Sequence, residues 1–84
     1  GVHTFDIFPV PATGQLTIML TLLRPSAIVI TLSDMLGREV RRVDLPEAVA
    51  FHETLRLSGL PPGNYVMGVT TGGGEVMTRV VTVR

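Results

Sequence analysis

Hydrophobic and polar residues alternate along most of this chain with the two-residue period of a β-strand. From Gln15 to Leu23, the residues Leu16, Ile18, Leu20 and Leu22 fall on one face and Thr17, Met19 and Thr21 on the other. Ala27 to Ser33 repeats the pattern with Ile28, Ile30 and Leu32 inward. Further strands are predicted over His3–Phe8, ending at Pro9, over Arg38–Val43, and over Phe51–Leu57 with Phe51, Glu53, Leu55 and Leu57 on one side. Asn64–Thr71 and Glu75–Val83 complete the set. Apolar residues stand on both faces at Val80-Val81 and at Met19 with Leu23. Packing at strand ends is the simpler account, and an exposed strip for a partner is the other.

Turn chemistry punctuates these strands. Asp34-Met35-Leu36-Gly37 has Asp at the first and Gly at the fourth position, the signature of a type I turn closed by a left-handed glycine. Pro62-Gly63 suits the central positions of a type II turn leading into the strand opened by Tyr65. A tyrosine at a strand start can bury its ring and bond its hydroxyl to nearby backbone, as in the tyrosine corner of immunoglobulin-like sandwiches. Gly72-Gly73-Gly74 reads as a flexible hairpin tip, and Leu45 to Ala50 as a loop crossing between sheets. The predicted fold is therefore all-β, an immunoglobulin-like antiparallel β-sandwich of about seven strands.

Length and composition narrow the rest. Residues 1–84 make a single domain, with Gly1 read as a cloning remnant. The apolar run Leu16 to Leu23 is broken by threonines and stops at Arg24-Pro25, short of a membrane helix, so no direct membrane insertion is expected. The sequence has no secretory leader pattern, so export would require a longer precursor. Seven arginines balance seven acids and lysine is absent. Only Arg41-Arg42 are adjacent, which argues against nucleic acid as a partner. Without cysteine there is no disulfide, thiolate nucleophile or cysteine-bound zinc.

Candidate chemistry is sparse. His3 and His52 lack partners at metal-ligand spacing and read as surface histidines. Asp6 and Glu53 could pair as acid and base, but nothing in the sequence joins them. Asp34 is explained as a turn cap. The glycine triplet has neither the strand–loop–helix context nor the lysine of a phosphate loop. Four aromatics, Phe5, Phe8, Phe51 and Tyr65, are too few for a sugar-binding platform. The expectation is a domain without catalysis, cofactor or metal.

Four segments, taken in order, resemble the C-terminal sorting domain of type IX (Por) secretion system cargo. Phe8-Pro9-Val10-Pro11-Ala12 is similar to the family's aromatic-Pro-Asn-Pro opening, with Val10 in place of the usual Asn. The run from Leu32 through Asp34, Gly37 and Val40 is similar to its Asp-x-x-Gly-x-x-Val hairpin. Leu57 to Val69 resembles its Leu-x-x-Gly-x-Tyr-x-Val-x-Val pattern through Leu60, Gly63, Tyr65, Met67 and Val69. Thr78 to Arg84 is similar to its closing basic-Val-Val-x-basic strand, with Arg79 where Lys is common.

The resemblance implies a non-catalytic secretion signal following an upstream cargo domain in one Gram-negative precursor. Such a signal passes through the periplasm and is read by outer-membrane translocon components. It is then typically removed by a sortase-like surface protease, leaving cargo on the outer-membrane surface or outside the cell. Recognition is expected at the last strand, through Arg79, Val80, Val81, Val83 and Arg84, by strand addition. The competing reading makes the valines core. An immunoglobulin- or fibronectin-like spacer or binding module of a secreted enzyme is the alternative function. Weak self-association through an edge strand is a further expectation.

Overall fold

The computed structural model describes all 84 residues. The chain is all-β, and five strands, not the expected seven, form one curled, mostly antiparallel sheet in the order β1-β5-β4-β2-β3. They are β1 (Val2–Thr13), β2 (Gln15–Asp34), β3 (Glu39–Arg56), β4 (Gly63–Thr71) and β5 (Val76–Val83). Two expected breaks are bends. Gln15–Leu23 and Ala27–Ser33 are halves of β2, and the stretch read as a crossing loop, Leu45 to Ala50, lies inside β3.

The reason lies in the ladder. β2 and β3 pair along nearly their whole lengths, from Gln15↔Arg56 to Ser33↔Glu39, with register shifts between Thr21 and Ser26 and between Ser26 and Ile28. Pro25 sits in that irregular stretch, where a missing N–H breaks no regular bond, and Pro46 lies on the edge strand. Inward side chains pass from Leu22 to Ile28, an even step, so the apolar face stays on one side through the bend. The ribbon then folds back on itself. Arg41, near one end, donates from Nε to the Arg56 carbonyl at 3.1 Å and from Nη2 to the Ser58 carbonyl at 2.7 Å.

Curling encloses the core. Leu16, Ile18, Leu20, Leu22, Ile28, Ile30 and Leu32 of β2 are buried against Phe51, Leu55, Leu57, Met67, Val69, Val81 and Val83. β1 pairs with the first half of β2 and β4 with the second half, along the same side of the ribbon. β5 pairs antiparallel with β4 along its length and touches β1 in parallel at Ala12↔Val83. The glycine triplet is a tight turn, closed by Gly74 N–H to the Thr71 carbonyl, with Gly72 N–H shared by Ser26 Oγ and the Ala27 carbonyl.

Candidate recognition surface

All four motif segments reach one end of the sheet, the third and fourth running into it along β4 and β5. β4 spans nine residues, so its Gly63 end lies roughly 26 Å from its Thr71 end, a large part of the 36 Å long axis. At the Thr71 end lie Gly1, whose carbonyl accepts from Leu23 N–H, and the Arg24–Ser26 bend. At the Gly63 end lie the Asp34 hairpin, the Leu57–Tyr65 segment, Ala12 and Arg84.

Each motif has a local cause. β1 leaves its register with β2 after Phe8 and reaches β5 by Ala12. Pro9 and Pro11 occupy that exposed passage, where a missing N–H costs no ladder bond. Ala12 is buried and its carbonyl accepts from Arg84 N–H at 2.9 Å, which ties the first motif to the last.

The Asp34 hairpin forms as its sequence predicts. Gly37 N–H donates to the Asp34 carbonyl at 3.0 Å, and Gly37 has φ +86°, open to glycine at little cost. Asp34 Oδ1 accepts from the Leu36 and Arg38 amides, both at 2.9 Å, and Oδ2 from Arg38 Nε at 2.7 Å. The Arg38 amide, joined by its guanidinium and the Leu36 amide, holds the Asp34 carboxyl below its ordinary pKa against an opposing effect of desolvation. A folded-state pKa below the unfolded value of about 3.9 stabilises the fold above that pH and is lost as pH falls through the folded value. Asp34→Asn is therefore expected to be less stable than the parent at pH 6, with the gap closing below about pH 4. Urea titrations across that range check this, and a gap indifferent to acid removes the carboxylate as its source.

The third motif turns four residues earlier than expected. Leu60 N–H donates to the Leu57 carbonyl at 3.1 Å and Gly59 has φ +86°, so Ser58-Gly59, not Pro62-Gly63, occupy the centre of the type II turn. Gly63 instead opens β4 at φ +155°. Tyr65 buries its ring and donates its hydroxyl to the Pro61 carbonyl at 2.6 Å. Val69 is fully buried, whereas Val40 and Leu60 are half-buried against the core.

The last strand divides its predicted residues. Val81 and Val83 are core, 0% and 4% exposed, because their parity points them at the curled interior. As directly presented side chains they are thus corrected; β5 presents Arg79, Val80 and Arg84. The Arg79 guanidinium lies 4.8 Å from the Phe5 ring centroid, a cation–π contact joining β5 to β1. Apart from Ala12↔Val83, the far edge of β5 has no strand beside it.

Sequence reasoning missed the exposure of Met35 and Leu36, 64% and 81%, at the hairpin tip. Two large apolar residues at the centre of a turn that favours polar ones were the available signal. Beside the tip lies an open groove of about 520 Å³ lined by Val40, Leu60, Pro61, Pro62 and Tyr65 among others. Elsewhere, Asp6 and His52 both register with Met19 on the exposed outer face, one on each side of it. No three His, Asp or Glu side chains lie together as a metal site.

Comparison with curated proteins gives no match. The family model described as the secretion system C-terminal sorting domain matches residues 6–83, spanning the first three motif segments and the fourth as far as Val83. With essentially its whole length matched, the chain belongs to the secretion system C-terminal sorting domain family, the C-terminal sorting signals of type IX secretion cargo.

Proposed function

We propose that this domain is the non-catalytic signal that carries an upstream cargo through the outer-membrane type IX translocon, crossing the periplasm folded and leaving cargo at the cell surface or outside. After translocation a sortase-like surface protease removes it. One observation carries the reading beyond family membership: the motif segments converge on the end of the sheet remote from Gly1. Cargo joined through residue 1 leaves that end uncovered, so one signal can serve unrelated cargo. Recognition there includes Arg84 and, along β5, Arg79 and Val80 with the adjoining free edge, open to strand addition.

The test is a fluorescent protein bearing a signal peptide and this domain at its C-terminus, expressed in a host with a working type IX system. The expected result is reporter accessible to protease on intact cells, and reporter held in the periplasm when the domain is removed. A folded domain that leaves its reporter in the periplasm makes it a spacer module instead.

A further inference from the structure

Net charge zero conceals an uneven distribution. Two of the seven acids, Asp34 and Glu39, lie at the motif end, and both are ion-paired, to Arg38 at 2.7 Å and Arg42 at 3.8 Å. Arg41, Arg56 and Arg84 lie at the same end without an ion-pair partner. Toward the Gly1 end, near the ribbon bend and the β4–β5 turn, Glu47 and Glu75 are both unpaired and Arg24 is the one arginine among them. The motif end is therefore positive, and from it project Met35 and Leu36, which no core contact explains.

From this we infer that the β2–β3 hairpin tip is the docking knob of the signal, and that its partner is an acidic, apolar-floored cleft on a protein of the secretion machinery. The inference rests on the sorting function proposed above. Charge complementarity identifies the partner's sign: a basic end meets an acidic rim, which speeds and orients encounter. The neighbouring groove identifies its kind. A knob beside a concave groove walled by Val40, Leu60 and Pro61 matches a shaped protein surface that returns a side chain into the groove. A lipid surface has no such relief. Met35 and Leu36 supply the desolvated centre, and Arg56 and Arg84 the rim.

The test uses the reporter fusion. Met35→Ser with Leu36→Ser alters only exposed turn positions, so the thermal midpoint of the purified domain stays within a few degrees of the parent. Surface-exposed reporter is expected to fall by about tenfold or more, the effect of losing one hot-spot side chain. Arg56→Gln with Arg84→Gln lowers export in the same direction. Val49→Ser with Val76→Ser removes exposed apolar surface toward the other end, and export stays at the parental level. Parental export by the folded Met35→Ser/Leu36→Ser variant overturns the knob while leaving the sorting function intact. Failure of the parent domain to export overturns both. Binding of the purified domain to phosphatidylglycerol vesicles, lost in the Met35→Ser/Leu36→Ser variant, assigns the tip to lipid and overturns the protein partner.

Discussion

Ile30→Ala is expected to bring the domain close to unfolding at growth temperature. Ile30 is fully buried in the second half of β2, registered with Val43 of β3 on one side and Val69 of β4 on the other. Removing its outer carbons costs about 2–5 kcal/mol in transfer and cavity energy. A domain of 84 residues has a total stability of roughly 4–13 kcal/mol, so one truncation takes a large part of it. At about 4–8 °C per kcal/mol for this size, the midpoint falls by roughly 8–40 °C. Val29→Ala, one residue away on the outer face, shifts it far less. Thermal denaturation of both variants decides the matter: equal losses would mean that the curled interior does not carry the stability.

The second large effect is at the closing strand. Val81→Thr with Val83→Thr preserves shape but buries two hydroxyls in an apolar interior, at roughly 1–3 kcal/mol each. Unfolding and export failure should therefore arrive together. Val80→Thr, on the exposed face of the same strand, leaves the midpoint nearly unchanged. A double variant that stays folded yet is not exported would return these valines to the recognition surface. Deleting Val80 to Arg84 cannot separate the two, because it removes part of the core along with the strand's free edge.

Local features were legible in the sequence because their causes are local. The Asp34 turn follows from an acid and a glycine three residues apart, and the Tyr65–Pro61 bond from a tyrosine at a strand start. Parity named the interior of β2 correctly on both sides of the bend, since Leu22 and Ile28 are an even number apart. Strand number was not legible: the first run stops at Arg24-Pro25 and Leu45 to Ala50 reads as a crossing loop, but cross-strand pairing carries the chain through both places. The type II turn was misplaced because Ser58-Gly59 and Pro62-Gly63 both end in a glycine; Gly59 takes the φ of +86° that the turn requires and closes it with the Leu57–Leu60 bond, whereas Gly63 stands at +155°. Of the candidate surface, the motif residues were visible in the sequence. Their convergence, and the positive end they share with Met35 and Leu36, depend on the ribbon doubling back until Arg41 meets Ser58.

The position of β5 sets an order of events. It is last in the chain yet second in the sheet, lying beside β4 and meeting β1 at Ala12↔Val83. Until residues 81–84 are free to enter, β4 lacks one neighbour, the interior lacks Val81 and Val83, and Ala12 lacks the Arg84 bond. A chain interrupted upstream of this point has no finished domain to present. The interior is thus closed by the domain's own last strand, so the same few residues complete both the core and the edge of the sheet.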